Sequence, residues 1–305
     1  MKLIKAITLS LGEIEAPVVT SYQLGILVFN IYKERKFRGE EIASLQKSSA
    51  DSVVYHRILR ELIEEGILNK YQGFPAKSVF SVLGRKNDLI EDVVCTVDPF
   101  AYVSHLSAME YHGLTNRSPS KLVISSPPPR EWRGFAFQRM EKDLKENLEQ
   151  YRRDGFPVLN RTKITRVGKK EIHRFSSVHV GMFRTVRDRI MRVSTVGRTF
   201  LEMLKNPELC GGINHVLEVY EEHAGQYLKV IVDEVDRHGS SIDKVRAGYI
   251  LDERLGLTDE RINKWLENVQ RGGSRKLDSS SEYEPVWSEK WCLSLNVIGK
   301  VRSYS

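Results

Sequence analysis

The stretch from Asp51 to Val82 constrains the fold more than any other part of the chain. It reads DSVVYHRILRELIEEGIL, followed by two short apolar segments on either side of a GFPAK loop. Val54, Ile58, Leu59, Leu62 and Ile63 recur at helical spacing, so one face of this helix is buried. Ser52, Tyr55, His56 and Arg60 are expected on the outer side. Gly66 supplies the left-handed residue that stops a helix. Residues 67–71 and 79–82 then pair as a hairpin whose loop carries Gly73, Pro75 and Lys77. Upstream, residues 20–36 are expected as a helix with Thr20 or Ser21 as its cap, and residues 40–46 as a short second helix. Ser49 or Asp51 is placed to cap the third, where open amide groups also suit a phosphate.

Helix, turn, helix and hairpin in this order describe a winged helix-turn-helix. That module sets its last helix in a major groove of double-stranded DNA and a basic loop beside it. The residues expected to touch DNA are Ser52, Tyr55, His56, Arg57 and Arg60 on the helix, with Lys70 and Lys77 on the hairpin. Arginine donates two hydrogen bonds to a guanine edge, whereas the lysines reach phosphate. Ile67, Leu68, Tyr71, Phe74 and Phe80 anchor the hairpin.

At 305 residues the chain has room for more than one domain, and a polar junction at 83–88 marks the expected boundary. The reading is an α+β protein: a DNA-binding domain over 1–88 and a larger α/β domain over 89–305, with a helical part over about 195–268. No apolar run approaches the roughly 20 residues needed to cross a bilayer, and the amino terminus is interrupted by Glu13 and Glu15, so no membrane association or export is expected. Three scattered cysteines form neither a disulfide framework nor a metal motif, which fits a reducing cytoplasm.

The formal charge of +7 is unevenly spread. Residues 121–198 hold 19 Lys/Arg against 8 Asp/Glu, while residues 199–305 hold 14 against 18. The basic centre therefore lies outside the expected DNA-reading helix. Strands are expected at 135–138, 163–167, 170–175 and 178–183, and residues 141–153 as a helix or a polar insertion. Arg130, Arg133, Arg139, Arg166, Lys169, Lys170, Arg174, Arg184 and Arg187 then lie on one sheet face or its turns, a possible second surface for nucleic acid or an acidic partner.

The segment DPFAYVSHLSAMEYHGLT at 98–115 is expected to be helical at its centre, with Gly113 as its stop. His105 and His112 lack a third ligand at metal-site spacing and are read as packed or hydrogen-bonded side chains. Successive helices are expected at 195–206, 213–223, 227–238, 241–255 and 258–267, with a last strand at 291–297. There is no GxxxxGK[ST] loop, GxGxxG fingerprint, HExxH or GxSxG elbow, and no paired carboxylates of a nucleotidyltransferase. No enzyme activity, metal or cofactor is expected.

DPFAYVSHLSAMEYHGLT, GRTFLEML at 197–204, NPELCGGINHVLEVY at 206–220 and RAGYILDERLG at 246–256, behind a winged helix, resemble the AbiE-type abortive-infection antitoxin and transcriptional regulator family. The resemblance implies a sequence-specific repressor that binds repeats in its own promoter and counteracts a nucleotidyltransferase toxin, with Tyr55, Arg57 and Arg60 in the DNA-reading helix. A monomer or weak homodimer is expected. The alternative is a toxin-neutralising binding module with little specific DNA binding.

Overall fold

A computed structural model of the chain describes residues 1–43, 45, 49–85, 89–178, 181–270 and 275–297. The chain opens with helix α1 (Leu3–Glu13), strand β1 (Val18–Thr20) and helix α2 (Ser21–Glu34). Thr20 caps α2 by accepting from the Gln23 amide, and the Gln23 side chain returns the bond to the Thr20 amide. Strands β2 (Lys36–Phe37) and β3 (Glu40–Glu41) form a small antiparallel hairpin. The expected helix at 40–46 is therefore corrected at its start: Arg38 and Gly39 both take positive φ, and the turn they make pairs the two strands instead. Residues 44 and 46–48 lie outside the described residues.

Helix α3 (Ser52–Glu64) is capped by Asp51, whose carboxylate accepts from the Val54 amide at 2.9 Å. It ends at Gly66, with φ of +68°, where an L side chain would be strained. Strands β4 (Leu68–Lys70) and β5 (Val79–Val82) follow as an antiparallel pair, and β1 joins on the other side of β5 in the order β1-β5-β4. The hairpin expected at 67–82 is present in register, with Leu68 opposite Val82.

After helix α4 (Ile90–Val97) come β6 (Tyr102–Val103), α5 (His105–Tyr111) and β7 (Lys121–Ser126). Helices α6 (Pro129–Leu144) and α7 (Leu148–Arg153) precede β8 (Arg166–Val167) and β9 (Lys170–Ser176), which pair antiparallel. The strand expected at 135–138 is in fact the middle of α6. Trp132, Ala136, Met140 and Leu144 bury one helical face, and Pro129 sits in the first turn, where its missing amide costs nothing.

Strands β10 (Phe183–Thr185) and β11 (Arg192–Ser194) lead into α8 (Val196–Lys205), α9 (Ile213–His238), α10 (Ser241–Gly248), a π-helical turn at Tyr249–Arg254 and α11 (Glu260–Lys264). Strands β12 (Trp287–Ser288) and β13 (Leu293–Ser294) close the described chain. The two helices expected at 213–223 and 227–238 are one continuous helix through Gly225. Of the strands expected at 163–167, 178–183 and 291–297, only short parts form, and residues 179–180 lie outside the described residues.

The chain divides into two units, and not at residue 88. The first comprises residues 1–102, 125–180 and 185–192; the second comprises 103–124, 181–184 and 193–305. The physical reason lies in the first core, where Met140, Leu144, Leu148, Tyr151 and Phe156 join the side chains of α1, α2 and α3. Tyr151 stacks on Phe156, with ring centroids 4.9 Å apart, and meets Phe29 edge to face. In the second unit α8 and α9 pack closely around Phe200, Tyr220 and Ile231. No described helix is long and apolar enough to cross a membrane.

Candidate nucleic-acid interface

Helix α3 turns Val54, Tyr55, Ile58, Leu59 and Leu62 into the core of the first unit. Its outer stripe is Val53, His56, Arg57 and Arg60, three or four residues apart and therefore on one side. Among the described residues neither Arg57 nor Arg60 has an ion-pair partner, and the same is true of the exposed Lys70 and Lys77. Unpaired cations on a helix and on the adjoining hairpin are what phosphate and base edges require.

Two of the expected contact residues do not fit this stripe. Tyr55 is 2% exposed, stands edge to face against Phe156 at 6.1 Å, and points its hydroxyl at the Ser21 carbonyl. Burial pushes its phenol well above the ordinary value. It is a core residue, which corrects its placement on the DNA side. Ser52 is half-buried, and its amide donates to the Asp154 carbonyl at 2.8 Å. A chain segment from far along the sequence thus occupies the amino end of α3. The Ser52 and Val54 amides, expected as a phosphate site, are both satisfied within the protein. Gly155 permits this approach, because it takes φ of +74° and a Cβ there would stand 3.2 Å from the Ser52 Cβ.

Val53 was not singled out by sequence, yet it is 71% exposed on the outer stripe. The signal was its spacing, since Val53 lies three and four residues before His56 and Arg57 and so shares their side of the helix. An apolar side chain one turn before Arg57 suits a thymine methyl group.

The second set of basic residues does not form one face. Arg130, Arg133 and Arg139 lie on α6, and Arg139 is bound to Asp143 at 2.9 Å. Arg174 is largely covered beside Asp98 at 3.3 Å and donates to the Thr162 carbonyl, so it is structural. Burial lowers its pKa, with Asp98 opposing. Arg166 and Arg187 are exposed but paired with Glu171 and Asp188. Lys169 is exposed, Lys170 is half-buried on β9, and Arg184 is exposed on β10. The backbone of Arg166 approaches the hairpin: a Cβ on Gly73 would stand 3.0 Å from its carbonyl oxygen.

The two motif histidines are packed, as expected. His105 is 1% exposed with Nδ1 2.9 Å from the Ser104 hydroxyl, and His112 Nε2 lies 2.7 Å from the Ser194 carbonyl. Beside them Arg198 meets Glu202 at 3.3 Å and Glu234 at 3.7 Å, and the His105 amide donates to the other oxygen of Glu202. Among the described residues no group of three or more His, Cys, Asp or Glu is placed to hold a metal ion. Burial holds the His105 imidazole below its ordinary 6.5, outweighing the Glu202 carboxylate. The unfolded chain therefore takes up this proton first as pH falls below 6.5, and stability drops over that range. His105→Asn, which suits the left-handed φ of +51°, should flatten the fall in melting temperature below pH 6.5. An unchanged slope would assign the acid sensitivity elsewhere.

No family model matches the chain, and no curated protein matches it. Among solved structures the chain is similar to the RV2827C protein from Mycobacterium tuberculosis, at 13% sequence identity and a TM-score of 0.48, over 95% of this chain and 89% of that one.

Proposed function

We propose that residues 18–82 act as a winged helix-turn-helix and that the protein is a sequence-specific double-stranded DNA-binding repressor of its own promoter. The observation that supports this most is the outward stripe of α3, with Arg57 and Arg60 unpaired among the described residues, next to Lys70 and Lys77 on the β4–β5 hairpin. Arg57 and Arg60 read bases, His56 and Val53 sharpen the choice, and the lysines hold phosphate. The sheet β1-β5-β4 fixes the hairpin against α3 through Leu68 and Phe80. The antitoxin role, against a nucleotidyltransferase toxin as part of an abortive-infection operon, rests on the resemblance carried by residues 98–115, 197–220 and 246–256.

Phosphate and base contacts separate in one experiment. Lys77→Ala should weaken duplexes of any sequence about equally and reduce the slope of log affinity against log salt by about 1. A loss confined to one sequence would give Lys77 a reading role that this account denies it. Repression is tested with a reporter fused to the region upstream of the gene: the wild-type chain should silence it and the Arg57→Ala, Arg60→Ala double variant should not. Neutralisation is scored separately, as growth rescue on co-expression with the neighbouring toxin. Rescue by the double variant would separate antitoxin action from DNA reading.

A further inference from the structure

Helix α6 carries a glycine that its own packing does not require. Gly134 lies in the middle of a 16-residue helix, where glycine costs about 1 kcal/mol relative to alanine. A Cβ there would meet nothing within 4 Å. One turn to either side of Gly134 stand Arg130 and Phe137, and Arg133 directly precedes it, all exposed, with Phe137 at 46%. The result is a shallow notch on the helix surface, apolar at one end and flanked by two guanidinium groups without ion-pair partners among the described residues. Such a notch suits an aromatic ring accompanied by carboxylates, because guanidinium planes stack on aromatic faces and pair with carboxylates at once.

The second unit displays the complementary chemistry. Residues 282–287 read EYEPVW and are all exposed, with Tyr283 at 48%, Val286 at 55% and Trp287 at 55%. Three large apolar side chains in six residues, interleaved with Glu282 and Glu284, form an exposed patch of opposite charge to the α6 notch. Pro285 stiffens the segment and lowers the entropy lost when it docks. Tryptophan, tyrosine and arginine are the residue types in which binding energy concentrates at protein interfaces.

We infer that the α6 face around Gly134 receives the 282–287 segment of a second copy of this chain, giving a weak, salt-sensitive self-association. Glu282 and Glu284 face Arg130 and Arg133, and an aromatic ring of the segment fills the space above Gly134 against Phe137. Where two copies exchange segments reciprocally the assembly closes as a two-fold dimer; otherwise it extends head to tail.

Sedimentation velocity of the full chain over about a hundredfold range of concentration tests this. The expected result is a mass that rises with concentration and falls back as salt screens the charges. Trp287→Ala and Gly134→Gln, both at exposed positions, should each hold the protein monomeric, the first with a little-changed melting temperature and the second with one no lower than that of the wild type, because glutamine is the better helix former. The charge reversals Arg130→Glu with Arg133→Glu, and Glu282→Lys with Glu284→Lys, should each abolish association, and a chain carrying all four should regain it. A wild-type protein that stays monomeric throughout would overturn the inference, as would association that survives Trp287→Ala. A monomer whose Phe137→Ser variant loses affinity for DNA would overturn it in favour of a nucleic-acid role for α6.

Discussion

Arg60→Ala should lower affinity for the operator by about 1–3 kcal/mol while leaving affinity for unrelated DNA nearly unchanged, so that the protein loses preference rather than binding. The residue stands on the exposed stripe of α3, without an ion-pair partner among the described residues, so its removal leaves no buried charge behind. The helix itself should persist, because its stability comes from Val54, Ile58, Leu59 and Leu62 in the core and from the Asp51 cap. A competition titration with operator and unrelated duplex separates the two losses. Equal weakening of both would make Arg60 a phosphate contact and move base reading to Arg57 and His56. Tyr55→Phe serves as the internal contrast: it keeps the packed ring and should leave DNA binding intact, although the periodicity of the sequence places Tyr55 outside.

The largest effect on stability is expected from Asp98→Ala. This carboxylate is buried at 1% exposure and accepts from the Ser126 hydroxyl at 2.8 Å and from the Trp132 indole at 2.9 Å, besides the Phe100 amide. It also faces Arg174, itself largely buried. Removing it strands a buried guanidinium together with an indole N–H, which should cost about 3–5 kcal/mol. Arg192 adds to the dependence, since its side chain donates to the carbonyls of Cys95, Asp98 and Ala101 and ties the 95–101 turn in place. Denaturant titration of Asp98→Ala against wild type gives the number, and Asp98→Asn, which retains an oxygen for Trp132, should cost less. A loss below about 1 kcal/mol would mean that Arg174 finds water or another acceptor when Asp98 is gone.

The local parts of the fold were legible because their signals are local. Thr20 caps a helix, Asp51 caps another, Gly66 stops it, and the alternation of 67–71 and 79–82 around GFPAK makes a hairpin. What the sequence hid depends on residues far apart. Tyr55 and Ser52 face protein because residues 148–156 cover the amino end of α3, and nothing near position 55 announces that visit. The same visit moves the unit boundary away from residue 88.

Elsewhere the signal was present and outweighed. Trp132, Ala136, Met140 and Leu144 mark a helix at spacing four, but 135–138 was expected as a strand, which put the basic residues of 130–139 on a sheet. Helices at 213–223 and 227–238 were likewise expected as two, where tertiary packing carries one helix straight through Gly225. Burial then sorted the basic residues by partner. Arg174 and Arg192 proved to be internal ties, whereas Arg57 and Arg60 remained available at the surface.

One titration bears most directly on whether this chain reads DNA. Purified protein is titrated by fluorescence anisotropy against the duplex upstream of its own gene and against an unrelated duplex of equal length, at several salt concentrations. A preference for the upstream duplex that persists as salt rises, and that Arg57→Ala with Arg60→Ala removes, is the predicted result. Equal and steeply salt-dependent binding to both duplexes would contradict operator reading and leave the basic surface as mere charge.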